Sequence, residues 1–258
     1  MQGWLLFVHA VKLVFTNFGT AMRLSLVPYA FIAVVSVWVE LAKAGTGDPL
    51  LPAQGTSIPW TEIMVLSAVS AICTPWIAIN WHRFVLLEQY PSGVVPAWGL
   101  RRIFRYLYRT LIVALPVIAV GLFAIVGLIL LVQLFSDPWI IPMLGAGLGV
   151  VMLIIGLRFS MILPAIALDQ DMGLSESWSV TRPIAGPIVV LALLSGGLSF
   201  LIGFPLDGGD PSSGALVLEP MTNLQLVYSM VVGWINLMIG ISILTTLYGV
   251  CVEKREIG

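Results

Sequence analysis

At 258 residues the chain has room for one or two soluble domains, but 59% of it is hydrophobic, only 10% is charged and its mean hydropathy is +1.03. Soluble chains carry about 25% charged residues, so a soluble core could not hide this much apolar surface. The net charge of −1 conceals a one-sided placement of the basic residues and gives nucleic-acid binding no support.

The first apolar segment, residues 4–18, is interrupted before Asn17 only by His9, Lys12 and Thr16, spaced so that they form one narrow polar stripe on a helix. Such a helix suits the membrane surface, and an interfacial helix is predicted there. It has neither a basic leader nor a small-residue cleavage site, so it is expected to be retained. After a stop at Asn17 and Gly19, residues 24–41 supply a first crossing, since about 20 residues rising about 1.5 Å each span a hydrocarbon core of about 30 Å. Residues 43–60, with Gly45, Gly47, Pro49, Pro52, Gly55 and Pro59, have loop chemistry. Residues 64–81 return, kinked at Pro75, where proline removes a backbone donor and clashes with the preceding turn.

The return reaches the most basic stretch of the chain, residues 81–110, which holds Arg83, Arg101, Arg102, Arg105 and Arg109. Pro91, Gly93 and Pro96 break it, and helical periodicity resumes over residues 97–110. At about 100° per residue the last four arginines share an arc of about 100°, opposite Leu100, Ile103, Phe104 and Leu107. That pattern predicts a second interfacial amphipathic helix, with Trp98, Tyr106 and Tyr108 at the headgroup level.

Residues 111–134 form the third crossing, Asp137 and Pro138 a turn, and residues 140–157 the fourth crossing. Gly145, Gly147, Gly149 and Gly156 are expected to let neighbouring helices approach it closely. Arg158 marks its exit, and an apolar segment broken by Pro164 leads to Asp169, Asp171 and Glu176. Residues 174–182 read as a third interfacial helix, with Ser175 as N-cap and Glu176 in the first turn. The fifth crossing, residues 183–204, offers Ser195, Gly196 and Gly197 as a thin packing face. A loop without a basic residue covers 206–220, and the sixth crossing covers 224–250. Cys73 and Cys251 lie in or at the end of apolar runs, where a thiol behaves as a small hydrophobe, so no disulfide framework is expected.

Six crossings place every Lys and Arg except Lys43 on one side, and loops rich in them are retained in the cytoplasm. Both termini are therefore predicted cytoplasmic. The order surface helix, crossing, crossing recurs from Trp4, Ala97 and Leu174, always in the same direction, which sets the chain apart from inverted-repeat transporters.

Ionisable residues are nearly absent from the middle of the crossings, which disfavours a proton-coupled pump. Thr74, Asn80, Gln133, Ser195 and Asn236 are the polar residues placed at depth; singly, such residues more often bond neighbouring helices than line a path. His82 beside Arg83 has the chemistry of a general base near an anion site, but a helix-end histidine reaching for the interface is the preferred reading. Asp169, Asp171 and Glu176 have the oxygen chemistry for a hard cation without the spacing of a calcium loop. They read as solvated charges pairing with Arg182 or with the arginines of the 97–110 helix. No GxSxG, Walker, dinucleotide or HExxH signature occurs, and the histidines and cysteines have no metal-ligand spacing, so no catalytic residue, cofactor or metal is assigned.

Residues 158–182, RFSMILPAIALDQDMGLSESWSVTR, carry Leu163-Pro164-Ala165, an acidic turn, and Glu176-Ser177-Trp178 followed by Thr181-Arg182. In these phrases the chain resembles the bacterial membrane domain found fused to glycerophosphodiester phosphodiesterases and the related YciC-like proteins. The resemblance implies six helices with cytoplasmic termini and no catalytic residue, because the phosphodiesterase activity of that group belongs to a separate soluble domain. Pro183, where that group more often has a small or polar residue, leaves open whether the short helix runs into the fifth crossing.

The sequence therefore reads as an all-α, six-helix protein of the bacterial inner membrane, acting as a noncatalytic scaffold or accessory subunit. Arg83, Arg101, Arg102, Arg105, Arg109, Arg158 and Arg182, with Trp98, Tyr106 and Tyr108, are its candidate contacts to anionic lipid, to a partner membrane protein or to a second copy. The alternatives are a channel or transporter for a small or lipid-like solute, and a lipid-modifying enzyme using Asp169, Asp171 and His82.

Overall fold

The computed structural model describes residues 2–45, 60–91, 93, 95–134, 140–203 and 221–256. The loops predicted over 43–60 and 206–220 lie largely outside these residues, as do the turn at Asp137 and Pro138 and the side chain of Gln133. Among the described residues every regular element is helical: α1 (Gln2–Thr16), α2 (Phe18–Gly45), α3 (Trp60–Leu87), α4 (Leu100–Leu134), α5 (Ile140–Phe159), α6 (Ile162–Ala167), α7 (Leu174–Val180), α8 (Ala185–Gly203) and α9 (Asn223–Cys251), with a single 3₁₀ turn at Arg182–Ile184. Six helical stretches, those of α2, α3, α4, α5, α8 and α9, are long and apolar enough to cross a membrane.

A one-residue break at Asn17 separates α1 from α2, and the Asn17 side chain donates to the Leu13 carbonyl at the end of α1. Gly3, Leu6, Ala10 and Val14, spaced three and four apart, are the buried face of α1, which lies against α8 and α9. Among the described glycines Gly3 lies in the tightest contact: a Cβ built there would stand 2.5 Å from the Pro187 carbonyl and 2.7 Å from Val190 Cβ.

Around this contact α2 pairs with α3, α3 with α4, α4 with α5, and α5 with α8, while α9 returns to α3. The short α6, ILPAIA, has every residue buried and is surrounded by α3, α4 and α9. Side chains are buried mainly toward this end of the bundle: Ile77, Trp81 and Phe84 on α3, Ile103 and Tyr106 on α4, Leu191 on α8, and Leu247 and Tyr248 on α9. Farther along the same helices Leu122 and Phe123 of α4, Phe200 and Leu201 of α8, and Leu224 and Val227 of α9 are exposed. An apolar surface of that extent matches lipid tails and not water.

Two sequence expectations do not hold in the structure. The 97–110 segment becomes helical only at Leu100, and from there it and the third crossing are one unbroken helix, α4, whose 35 residues extend about 52 Å. That exceeds the roughly 30 Å hydrocarbon core by several turns, so the arginines ride on a prolongation of the crossing and not on a separate element. Second, a Cβ added at Gly145, Gly147, Gly149 or Gly156 would meet nothing within 4 Å, so no described helix packs on these glycines. The close contacts of α5 come from its larger residues, Met152 against Gly121 of α4 and Leu153 against Gly196 of α8.

Candidate functional site

The arginine-bearing end is built from three helix ends. α3 stops at Leu87, with Glu88 in the left-handed region at φ 55°, and Arg83 stands one turn before that end. α4 begins at Leu100 and carries Arg101, Arg102, Arg105 and Arg109 through its first three turns. α6 ends in a Schellman arrangement: the Gln170 N–H donates to the Ala165 carbonyl and the Asp169 N–H to the Ile166 carbonyl, with Asp169 left-handed at φ 61°. Aspartate tolerates that backbone better than most residues, and the turn projects its carboxylate toward α3 and α4.

Asp169 accepts from Arg83 Nη1 at 3.0 Å and from Arg102 at 3.2 Å (Nε) and 3.1 Å (Nη2). Asp171 accepts from Arg105 at 2.7 Å and from Arg109 at 3.3 Å. The sequence reading that these carboxylates pair with the arginines of the 97–110 segment matches this geometry, and Arg83 joins them. The Arg102 hydrogen bond, supplemented by Arg83 and opposed by partial desolvation, holds the Asp169 carboxyl below its ordinary value of 3.8. Because Asp169 is 45% and Arg102 46% exposed, each of these ion pairs contributes about 0.2–1 kcal/mol and no more. Arg83 Nη1 also donates to the Ala167 carbonyl at 2.8 Å and its Nε to Gln89, which anchors α6 to the end of α3.

A second set of contacts fixes α7 and so limits where the acidic turn lies. Arg158 donates through Nε to Thr181 Oγ1 at 3.2 Å and through Nη2 to the Trp178 carbonyl at 3.1 Å, and its guanidinium lies 3.5 Å from the centre of the Trp178 ring. Ser177 Oγ donates to the Arg158 carbonyl at 2.6 Å. The Ser-Trp and Thr residues of the phrase noted in the sequence thus close on the arginine at the exit of α5. The cap of α7 is Gly173 and not Ser175, and Glu176 accepts from the Gly173 N–H at 3.5 Å. Arg182 makes no side-chain hydrogen bond or ion pair among the described residues. The 3₁₀ turn at Arg182–Ile184 interrupts the helical path at Pro183.

Two side chains expected at the interface are inside the bundle. His82 is fully buried, with Nδ1 2.8 Å from Thr245 Oγ1 and Nε2 3.5 Å from the Tyr106 hydroxyl. Thr245 Oγ1 gives its proton to the Ile241 carbonyl at 2.8 Å, so it must accept from His82, which assigns the proton to Nδ1 and leaves Nε2 facing Tyr106. Tyr106 is 5% exposed because it lies on the α4 face turned to α3, where the wheel placed Ile103 and not the arginines. Tyr108 and Trp98 are exposed, and Trp98 packs edge-on against Trp76 with ring centres 4.5 Å apart.

Of the polar residues placed at depth, Asn80 donates to the carbonyls of Trp76 and Ala97, and Asn236 accepts from Ser199. Sequence reasoning missed Arg255, which donates to the Leu86 carbonyl at 2.8 Å and closes the C-terminal end of α3. A cation past a helix end is the expected partner for its open carbonyls, but no spacing within the sequence links positions 86 and 255. No protein-family model, curated protein or solved structure matches this chain.

Proposed function

We propose that this chain is a noncatalytic scaffold or accessory subunit of the bacterial inner membrane, with both termini cytoplasmic and its arginine-bearing end held against anionic lipid headgroups or a partner membrane protein. The observation that carries the reading is a charge imbalance. Arg83, Arg101, Arg102, Arg105 and Arg109 surround Asp169 and Asp171, and Arg101 has no hydrogen-bond or ion-pair partner among the described residues. Each uncompensated cation near an anionic surface is worth about 1 kcal/mol of attraction. The side bearing nearly all the arginines is also the side that membrane insertion retains in the cytoplasm.

The candidate catalytic groups point in different directions, which supports a noncatalytic role. His82 faces Thr245 and Tyr106 inside the bundle, while Asp169 and Asp171 face arginines at its surface. The phrase closed around Arg158 acts as a structural staple and not as a reactive site.

Purification in mild detergent, with bound lipids and proteins identified, tests the role, and cysteine labelling at residues 88 and 221 from either side of the membrane tests the orientation. Enrichment of anionic lipid or a reproducible membrane partner is expected, with residue 88 labelled from the cytoplasm. A chain that keeps neither lipid nor partner would overturn the role, and labelling of residue 221 from the cytoplasm would overturn the orientation.

A further inference from the structure

Two cavities open at the arginine-bearing end. The first, about 160 Å³, lies between α3, the segment that joins it to α4 and the start of α4, and is walled by Trp76, Trp98, Asn80 and Arg83. The second is a more open cleft of about 320 Å³ lined by Gly99, Arg101, Arg102, Arg105 and Asp169. Gly99 and Arg102 line both, so chamber and cleft are neighbours across one short wall.

The chamber is mixed: Leu24, Ile79 and Ile103 lie with the two tryptophans, and the Asn80 and Gln89 amides and the Arg83 and Arg102 side chains line it too. The cleft is cationic, with Asp169 as its sole acidic lining residue. Arg101 is without a partner among the described residues, and the first amides of α4 lie in the same place, at the positive end of a 35-residue helix. A ligand that satisfies both parts joins a phosphate to a body with apolar and hydrogen-bonding portions.

We propose that cleft and chamber together bind one anionic phospholipid, its phosphate among Arg101, Arg102 and Arg105 and its glycerol and ester portion beside Asn80 and Trp98. The phosphate draws on the same Arg102 guanidinium that Asp169 holds in the structure, so carboxylate and phosphate compete. This site rests on the reading that the arginine-bearing end meets anionic lipid, and narrows it from a diffuse surface to one molecule.

Native mass spectrometry of the full chain in detergent, titrated with phosphatidylglycerol and separately with glycerol 3-phosphate, tests it. One tightly held phospholipid per chain is expected. The double substitution Arg101→Gln with Arg102→Gln weakens it on the order of thirtyfold, the product of two surface charges. Trp98→Ala, which removes a chamber wall without touching charge, weakens it as well, and Arg23→Gln, at an exposed position of α2 that lines neither cavity, leaves it near the wild-type value. Glycerol 3-phosphate fails to displace the lipid.

Displacement by glycerol 3-phosphate at matching concentration would overturn the lipid assignment in favour of a soluble phosphate ester. Equal weakening by every arginine substitution with none from Trp98→Ala would overturn the site and leave diffuse lipid attraction standing. Absence of any phosphatidylglycerol binding would overturn the site and the lipid reading together.

Discussion

Asp169→Asn separates the structural use of the arginines from their use in binding. Asparagine keeps the left-handed backbone at φ 61°, so the Schellman turn is preserved and only the charge is lost. The substitution removes the carboxylate shared by Arg83 and Arg102, two exposed pairs worth together about 1 kcal/mol after solvent screening. The melting midpoint in detergent is therefore expected to fall slightly. Anionic lipid binding moves the other way: freeing one positive charge at the surface adds about 1 kcal/mol of attraction, or on the order of fivefold in affinity. That gain should shrink in about 1 M salt, where the screening length is near 3 Å.

The pH dependence has a definite sign. Because the Asp169 carboxyl is held below its ordinary value of 3.8, the unfolded chain binds its proton first, and the pairing contributes stability above that value. The contribution is lost as pH falls through the lower, folded value, so the gap in midpoint between wild type and Asp169→Asn closes in acid. Weaker lipid binding by the variant, or a gap in midpoint that widens below pH 3.8, would refute the reasoning.

Arg158→Lys keeps the charge but loses the forked contacts to Thr181 and Trp178 and the stacking at 3.5 Å, so the midpoint should drop by the equivalent of about 1–2 kcal/mol while membrane orientation stays unchanged; an unaltered midpoint would show that charge alone matters there. At Gly3 the sign is the test. Helix propensity alone favours Gly3→Ala by about 1 kcal/mol, whereas a Cβ 2.5 Å from the Pro187 carbonyl predicts a loss of about 1–3 kcal/mol, read from thermal unfolding. Ser242 is fully buried with no hydrogen-bond partner for its hydroxyl among the described residues, so Ser242→Ala should stabilise by about 1 kcal/mol; a lower midpoint would mean the hydroxyl is bonded.

The six long apolar helices were legible because an apolar run of about 20 residues has little alternative to crossing a bilayer. The arginine face was legible too, since 3.6 residues per turn brings positions 101, 102, 105 and 109 together without reference to the rest of the chain. What failed was the boundary between the 97–110 segment and the third crossing. A wheel registers the change from one-sided to all-round hydrophobicity near Leu111, but the nearest helix-breaking residue, Pro116, lies five residues further on and inside α4, so the backbone continues through the change.

The misplacement of His82 has a different origin. His82 and Arg83 are adjacent in sequence but about 100° apart around α3, so one enters the bundle while the other leaves it. Which of the two turns inward depends on Thr245, 163 residues away. The acidic turn depends on distance in the same way. Its aspartates read as solvated charges pairing with Arg182 or with the 97–110 arginines; the Schellman close of α6, the anchoring of α6 by Arg83 and the closure of Ser177 and Thr181 on Arg158 together hold Asp169 within hydrogen-bond reach of Arg102. The arginine face is therefore met from inside the chain by a carboxylate that is itself half exposed, an arrangement weak enough for a phosphate to compete with.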